Sequence, residues 1–358
     1  MKGKSSVILL ALLALCIPQY SHAETRYEVV DLGHRFIPSD ISNVGDVVGS
    51  SINGACPGLY WSQGVLTEIK AAGFVRVIPK AISDVGVIAG AGFTTDGTTK
   101  PLLLDKYSAL TLADRGVCTD INSFGMAVGS IRGSGGETRG VFWQNGFLTD
   151  CGSFGGFPID ARKISSNGDI VGFVDTSKGY LNAKGEYFPY KRAVIRSNTG
   201  ITELGVLGGD RSYALAINSK GMAVGASEVA KEERFSPIHA FVWQNGMMVD
   251  IGTLGGKVSG ASAINERGQI VGNSSLKQSK TPHAFIWQDS VMSDLNELIP
   301  DGSGWILSSA NAINDSGCIV GTGFLNSKFH GYLLVPQPAE SSGQGMTGSL
   351  NTQGEAQR

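Results

Sequence analysis

The sequence predicts an all-β fold, and more narrowly a seven-bladed β-propeller of four-stranded antiparallel blades that is closed by the N-terminal strand. Three observations carry this prediction. A motif built on two glycines recurs at steps of 39–53 residues, each repeat has the pattern of four short strands, and the incomplete last repeat is matched by an extra strand at the N-terminus. Repeats of about this length with four strands each are typical of propeller blades.

The repeated motif has a hydrophobic residue, a short turn and two glycines that stand four residues apart. The first glycines are Gly45, Gly86, Gly125, Gly168, Gly221, Gly268 and Gly317. The second glycines are Gly49, Gly90, Gly129, Gly172, Gly225, Gly272 and Gly321. Glycine inside a strand is normally unfavourable, so its recurrence there indicates that another stretch of backbone comes close. We expect the neighbouring blade to make this approach.

The fifth repeat shows the four strands most clearly. Residues 212–217 and 222–226 are largely apolar and flank the turn Asn218-Ser219-Lys220-Gly221. Asparagine can bond to its own backbone in such a turn, and glycine provides the positive φ that a tight hairpin needs. Residues 239–243 and 247–251 flank Asn245-Gly246, a strong hairpin signal. At the third-strand position, we expect tryptophans to fill the gaps between blades: Trp61, Trp143, Trp243 and Trp287.

The two ends of the repeat array complement each other. The seventh repeat ends after residues 330–334 and lacks a fourth strand, whereas residues 27–33 have the pattern of a fourth strand without the other three. They match residues 248–252 of the fifth repeat. A ring that pairs its first strand into its last blade requires this arrangement, whereas an open solenoid would need polar capping repeats.

The termini depart from the repeat pattern. Residues 1–23 resemble a cleavable secretory signal, with Lys2 and Lys4 before an apolar run that is too short to span a bilayer. A lipoprotein site at Cys16 is the weaker alternative, because the bulky Leu15 precedes it. We therefore predict an extracellular or periplasmic protein cleaved near Ala23, with the propeller over residues 24–336 and a disordered polar tail over residues 337–358.

The charge of the mature chain disfavours nucleic acid as a partner. Without Lys2 and Lys4 it has 27 basic and 31 acidic side chains, and it contains no long basic run. Four cysteines remain at unlike repeat positions: Cys56, Cys118, Cys151 and Cys318. A disulfide between Cys56 and Cys318 would join the first and last repeats, and free, partly buried thiols are the alternative.

A pair of opposite charges recurs inside the repeats. A cation opens the third strand and an acid follows eleven residues later, giving Arg139–Asp150, Arg192–Glu203, His239–Asp250 and His283–Asp294. For His330 the equivalent acid is Asp31, which it can reach only through ring closure. We interpret these as structural cross-strand pairs. A metal or acid–base role for the histidines is disfavoured, because arginine and lysine occupy the same position in other repeats.

Segments of the fifth and sixth repeats resemble a family of bacterial exported proteins. His239-Ala240-Phe241 and His283-Ala284-Phe285 are similar to the triplet after which the HAF-repeat family is named, and residues 250–256 extend the likeness. The third and fourth repeats depart from the triplet at Arg139-Gly140-Val141 and Arg192-Ala193-Val194. The resemblance implies an extracellular or periplasmic repeat protein, and it carries no catalytic residue.

Function is expected on the face where the repeats vary. The loops from strand two to strand three and the connections between blades share that face, where repeat proteins usually bind. The longest loop spans residues 175–190, and a loop that packs on itself is the alternative to a binding loop. The candidate partner-binding residues are Lys178, Tyr180, Lys184, Tyr187, Phe188, Tyr190, Lys191 and Arg234.

The sequence contains no catalytic motif. A Gly-x-Ser-x-Gly elbow, a phosphate-binding glycine loop and a His-Glu-x-x-His pair are all missing. We therefore predict a monomeric, non-enzymatic binding scaffold without cofactor or metal, whose partner is a protein or a glycan. The alternatives are an envelope structural protein without a dedicated ligand and a propeller enzyme that acts on glycans.

Overall fold

The computed structural model describes residues 25–52, 57–106, 108–133, 135–182, 184–230 and 236–337. The predicted signal peptide, Cys56, Arg234 and residues 338–358 of the predicted tail lie outside these described residues. Within them the chain forms thirty strands and one 3-10 helix, Leu295–Glu297. None of the described helices is long and apolar enough to cross a membrane.

The strands of the first half form antiparallel sheets from consecutive segments. Strand β1 (Tyr27–His34) belongs to the last sheet. Sheet 1 contains β2 (Phe36–Ile41), β3 (Val47–Ser51), β4 (Gly58–Ser62) and β5 (Val65–Glu68). Sheet 2 contains β6 (Arg76–Ile82), β7 (Ile88–Phe93), β8 (Thr99–Leu104) and β9 (Ala109–Thr111). Sheet 3 contains β10 (Gly116–Ile121), β11 (Ala127–Arg132), β12 (Thr138–Gln144) and β13 (Phe147–Asp150), and a small hairpin of β14 (Ser153–Phe154) and β15 (Phe157–Pro158) follows it.

The second half repeats the arrangement. Sheet 4 contains β16 (Asp160–Ile164), β17 (Ile170–Leu181), β18 (Tyr187–Ser197) and β19 (Gly200–Gly205). Sheet 5 contains β20 (Ser212–Ile217), β21 (Ala223–Glu228), β22 (Ile238–Gln244) and β23 (Met247–Asp250). Sheet 6 contains β24 (Gly255–Ile264), β25 (Ile270–Leu276), β26 (His283–Gln288) and β27 (Val291–Asp294). One parallel bridge, Ile238 to Val258, links sheets 5 and 6.

Sheet 7 takes strands from both ends of the chain. It contains β28 (Trp305–Ile313), β29 (Ile319–Leu325) and β30 (Lys328–Pro336), and β1 pairs antiparallel with β30. Tyr27 stands opposite Pro336, and Val30 stands opposite Leu333. The sequence predicts this pairing, because residues 27–33 have a fourth-strand pattern and the last repeat lacks a fourth strand.

Apolar clusters fill the spaces between consecutive sheets. One of them joins the last sheet to the first, since Ala312, Val320 and Leu333 pack with Phe36 and Val47. The four predicted tryptophans lie in or against these clusters: Trp61 between sheets 7 and 1, Trp143 between sheets 2 and 3, Trp243 between sheets 4 and 5, and Trp287 between sheets 5 and 6. This confirms their predicted role as packing groups, which places most of the core between sheets.

The first strands of the sheets form the inner edges. The strands β2, β6, β10, β16, β20, β24 and β28 each contact the next one, and β28 also contacts β2. Side-chain amides of sheet 7 bond to the backbone of sheet 1, since Asn311 Nδ2 donates to Pro38 O at 2.8 Å and Asn314 Nδ2 donates to Ser42 O at 3.0 Å. Backbone and side-chain contacts therefore link the last sheet to the first.

The turn between the first two strands works as the sequence predicts. The Oδ1 atom of Asn218 accepts from the backbone N–H of Lys220 and of Met222, both at 3.1 Å, and Gly221 has a φ of +72°. The Nδ2 atom of Asn218 donates to Asn265 O, the equivalent turn residue of the next sheet, at 3.1 Å. One side chain thus closes its own turn and ties two sheets together.

The backbone that comes close to the second glycines is not the expected one. In each sheet the register of the first two strands shifts at a bulge, for example between Ala214 and Ala216. A Cβ on Gly225 would lie 1.9 Å from the carbonyl oxygen of Tyr213, and at the other six second glycines the nearest atom would also be a first-strand carbonyl oxygen, at 2.0–2.3 Å. The close approach therefore comes from the glycine's own sheet, and the expectation of a neighbouring blade is wrong.

One further expectation needs correction. Residues 175–190 are largely a hairpin extension of β17 and β18 rather than a loop, because the strands resume pairing between Gly179 and Pro189 after an irregularity. The thiols of Cys118, Cys151 and Cys318 are free, which agrees with the predicted alternative of free, partly buried thiols, and Cys56 lies outside the described residues. Cys318 packs against the apolar cluster between sheets 7 and 1, and burial raises the pKa of its thiol.

Candidate functional site

The strands β17 and β18 have twelve and eleven residues, more than any other described strand, and their hairpin lies on the variable face. Tyr180 pairs with Phe188 and Leu181 with Tyr187 near its tip. The turn at the tip is closed by Asn182, whose Oδ1 accepts from the backbone N–H of Lys184 at 2.9 Å and of Glu186 at 3.0 Å. The described residues of the tip thus form a hydrogen-bonded turn.

Aromatic rings stack along one side of this hairpin. The ring centroids of Tyr180 and Phe188 lie 5.7 Å apart with an interplanar angle of 21°, and those of Tyr180 and Tyr190 lie 6.1 Å apart at 26°. Tyr180 and Phe188 each remain 42% exposed, and Tyr187 is 54% exposed. Stacked rings with this exposure provide a rigid amphipathic surface at little cost in side-chain entropy.

Cations flank the stack, but only some of them are the predicted ones. Arg211 lies over the ring of Tyr180 at 5.6 Å and bonds to the buried Glu228 through Nη2 at 2.6 Å. Lys191 pairs with Asp175 and lies 5.4 Å from the ring of Phe173, so it supports the base of the hairpin. The side chains of Lys178 and Lys184 are exposed. The predicted residues that come together are therefore Tyr180, Phe188 and Tyr190, with Arg211 as an unpredicted member.

Arginines stand at the same position in four inner strands, at the end that faces the variable side. Arg35, Arg76, Arg115 and Arg211 each lie ten residues before a first glycine. They immediately precede or begin β2, β6, β10 and β20. The inner strands contact one another side by side, so these residues share one end of the inner surface. Counting back from the first glycines would have found them in the sequence.

A charged cluster lies further along the inner strands, in which Asp120 is buried and Asp40 and Lys163 are half-buried. Lys163 Nζ is 3.0 Å from Asp120 Oδ1 and 3.8 Å from Asp40 Oδ2. The two carboxylates also accept from the backbone of the following sheet, Asp40 from Ile82 N at 3.0 Å and Asp120 from Ile164 N at 2.8 Å. Sheets 1, 3 and 4 therefore bring side chains to a common point, which places their inner strands around one axis.

Burial and mutual charge shift the pKa values in this cluster. Burial raises the pKa of Asp40, Lys163 lowers it and Asp120 raises it, so that it ends above its usual range. Burial alone would lower the pKa of Lys163, but the charges of Asp120 and Asp40 outweigh this effect and raise it. Lys163 is thus held in its charged form between two carboxylates.

No family model and no curated protein matches the chain. Solved structures do match, at low identity. The β-propeller domain of the Trilobed protease from Pyrococcus furiosus, described as having an open velcro topology, has a TM-score of 0.55 at 11% identity over 84% of this chain and 95% of that one.

Two peptidases give similar values. An acylaminoacyl peptidase from Pyrococcus horikoshii has a TM-score of 0.52 at 13% identity over 85% of this chain. A puromycin-hydrolyzing peptidase from Mycobacterium tuberculosis has a TM-score of 0.50 at 12% identity over 84% of this chain. The chain spans about half the length of each, 52% and 49%. The chain has a β-propeller fold. Its four-stranded sheets are blades, and at these identities the likeness concerns the fold alone.

The recurring charge pairs lie at the outer part of the propeller blades. The distances are 3.5 Å for Arg139–Asp150, 3.7 Å for Arg192–Glu203, 2.8 Å for His239–Asp250, 2.5 Å for His283–Asp294 and 2.8 Å for His330–Asp31. The partners are diagonal rather than directly opposite, since Asp250 pairs in register with Phe241. Asp250 also accepts from the backbone N–H of Gly252 at 2.7 Å. Each histidine thus bonds to the acid of its own blade.

We predict a modest coupling between His239 and Asp250. A double-mutant cycle with His239→Ala and Asp250→Asn should give an interaction free energy of about 0.2–1 kcal/mol, because the diagonal pair is partly exposed. Asparagine is chosen since its Oδ1 can still accept from Gly252. Urea unfolding monitored by tryptophan fluorescence measures the four free energies. The matched cycle of His239→Ala with Asp150→Asn, which lie in different blades, should show no coupling, and equal values in both cycles would contradict a direct pair.

Proposed function

We propose that this propeller is an exported, non-enzymatic binding scaffold of the HAF-repeat type, which holds a protein or glycan partner on the face that carries the β17–β18 hairpin. The observation that carries the proposal is the aromatic stack of Tyr180, Phe188 and Tyr190, in which Tyr180 and Phe188 are exposed and Tyr190 is half-buried. Exposed aromatic groups beside a cation are typical of binding surfaces. A loop that packed on itself would instead bury such rings.

The scaffold is proposed to be a closed ring of seven blades. Three observations support closure: β1 completes the sheet of β28–β30, an apolar cluster joins sheet 7 to sheet 1, and the amides of Asn311 and Asn314 bond across the same boundary. A closed ring holds the inner strands in place, so a partner meets a preformed surface. Preformed surfaces avoid part of the entropy cost of association.

The acids of the charged cluster support a structural role rather than catalysis. Asp40 and Asp120 converge on the axis, and both are engaged by Lys163 and by backbone N–H groups. A general acid or base must exchange its proton with a substrate within hydrogen-bond reach. Carboxylates already held by an ammonium and by the backbone are placed to stabilise the inner strands.

Export rests on the pattern of residues 1–23, with its basic start, apolar run and small-residue cleavage site. Because such a signal directs a protein out of the cytoplasm, the partner is expected at or outside the cell envelope. The weakly acidic mature chain disfavours nucleic acid as that partner. An envelope structural protein without a ligand has no need of an exposed aromatic stack.

We predict that a photo-crosslinking residue at position 188 will form adducts in the producing cells. Phe188 lies in the stack and is 42% exposed, so p-benzoyl-phenylalanine there should reach a bound partner without disturbing the blade. The adducts are detected as bands of higher mass after irradiation and are identified by mass spectrometry.

Two controls make this test specific. Phe147 is 75% exposed and opens β13, on the opposite face, and the same substitution there should give no such adduct. A second variant replaces residues 176–190 by Asn-Gly, which retains Asp175 and Lys191 on either side of a two-residue hairpin turn. It should fold with an unchanged melting temperature. When it is added as a competitor, it should leave the adduct at position 188 undiminished, because it no longer binds the partner. Equal adducts at both positions, or none at position 188, would refute the proposed surface.

A further inference from the structure

A cavity of about 470 Å³ opens between sheets 2 and 3 on the variable face. Its lining comes from the connection between β7 and β8, from the start of β10, from the end of β11 and from the start of β12. The polar residues that line it include Asp96, Thr98, Arg115, Ser130, Arg132 and Thr138. None of these residues belongs to the β17–β18 hairpin, so the cavity is a separate feature of the same face.

Two arginines meet in this cavity at paired positions. The backbone N–H of Arg132 donates to Arg115 O at 3.2 Å, so the two residues stand opposite each other on neighbouring strands. Sheet 5 has the same arrangement with opposite charges, because there the backbone N–H of Glu228 donates to Arg211 O, and the side chains form an ion pair. Sheet 3 thus places a second arginine where sheet 5 places the neutralising glutamate.

The charges of Arg115 and Arg132 are not neutralised within the described part of the chain. Arg132 Nε donates to the carbonyl of Gly136 at 3.3 Å, and neither guanidinium forms an ion pair with a described carboxylate. Asp96 lines the cavity, but its carboxylate accepts from Thr94 Oγ1 and from the backbone N–H of Thr98 at 3.0 Å. Like charges on adjacent strands are destabilising, and a bound anion would remove that penalty.

We propose that this cavity binds the carboxylate of an acidic sugar, with Arg115 and Arg132 as its ligands. Arginine recognises carboxylates through two parallel hydrogen bonds. The hydroxyl groups of Thr98, Ser130 and Thr138 can donate to and accept from sugar hydroxyls, and Asp96 can accept from them. The volume lies within the range of small-ligand sites and matches one or two sugar rings. This polar lining favours a uronate over an acidic peptide.

The test is titration calorimetry of the mature protein with trigalacturonate, triguluronate and a glucuronate disaccharide at low ionic strength. We expect at least one of them to bind. Arg115→Gln and Arg132→Gln should each weaken that binding about tenfold or more, because each removes charge-assisted hydrogen bonds. Arg115→Lys should fall between wild type and Arg115→Gln, since it keeps the charge and loses the bidentate geometry. The methyl ester of the same oligosaccharide should not bind.

The matched control is Lys257→Gln, which removes one exposed cation from sheet 6 on the same face and should leave the affinity unchanged. Melting temperatures report whether each variant folds. If Arg132→Gln does not fold, Arg115→Gln still tests the proposal, because Arg115 is exposed. The proposal is overturned if no acidic sugar binds, if the methyl ester or triglutamate binds as tightly, or if Lys257→Gln weakens binding as much as Arg115→Gln. The hairpin replacement should bind the acidic sugar normally, so this test and that of the proposed function fail independently.

Discussion

Replacing Gly225 by alanine is expected to lower the free energy of unfolding by about 3 kcal/mol or more, which is at or above the usual range for overpacking. The added Cβ would lie 1.9 Å from the carbonyl oxygen of Tyr213 and 2.9 Å from its carbonyl carbon. Both contacts are with backbone that is fixed by the bulge, so no side chain can rotate to relieve them. Urea unfolding followed by tryptophan fluorescence gives the free energy directly.

The first glycine of the same repeat is the matched control. Gly221 has a φ of +72°, and a methyl group added there would have no heavy atom within 4 Å apart from its chain neighbours, so Gly221→Ala meets only the conformational penalty of about 1–2 kcal/mol. Gly221→Asn should cost less than that, because asparagine tolerates the left-handed region. If Gly225→Ala were no more destabilising than Gly221→Ala, the steric explanation of the second glycines would be wrong.

Local chemistry explains why the sheets could be predicted. The turn at Asn218 and Gly221 and the hairpin at Asn245 and Gly246 depend on residues that are adjacent in sequence, and both have the expected conformation. The reason for the second glycines could not be predicted, because the bulge that causes the clash leaves the hydrophobic pattern unchanged. It becomes visible only in the register of two paired strands.

The hairpin of residues 175–190 differs from the predicted loop, although the sequence contains a usable signal for it. Asn182 and Gly185 have the same spacing as Asn218 and Gly221, and Asn182 closes its turn in the same way. The irregularity between Asp175 and Gly179 interrupts the alternation that would otherwise mark a continuous strand. The turn signal at Asn182 and Gly185 is therefore not enough to predict that β17 and β18 extend into a hairpin, because no unbroken strand pattern precedes it.

The charged cluster and the cavity escape sequence-based prediction for a different reason. Lys163 and Asp120 lie 43 residues apart, and Arg115 gains meaning only from its position opposite Arg132. In four repeats, alanine stands five residues before the first glycine, and the other three have Asp40, Asp120 and Lys163. Aligning the repeats on the first glycine singles out these departures. It does not show that three different sheets bring them to one point.

Lys163→Met is expected to lower the free energy of unfolding at neutral pH by about 3 kcal/mol, the lower end of the usual cost of removing one partner from a buried ionic cluster, because Lys163 and Asp40 keep some contact with solvent. It leaves the buried Asp120 and the half-buried Asp40 without their shared cation. Asp40 and Asp120 would then repel each other, and the pKa of Asp40, already raised by burial, would rise further. Urea unfolding between about pH 4 and pH 8 measures the difference between wild type and variant.

The pH dependence separates charge from packing. A carboxyl whose pKa is raised on folding favours the folded state below its unfolded pKa and loses that contribution as the pH rises through the folded value. The deficit of Lys163→Met should therefore be small near about pH 4 and should grow as the pH rises. The raised pKa of Lys163 means that its own contribution in the wild type is lost only at alkaline pH.

The triple variant with Asp40→Asn and Asp120→Asn, whose amide oxygens can still accept from Ile82 and Ile164, should recover most of the lost stability and show little pH dependence. A deficit that is constant with pH, or a triple variant no more stable than the single one, would mean that Lys163 acts through packing and that the cluster is not held by charge.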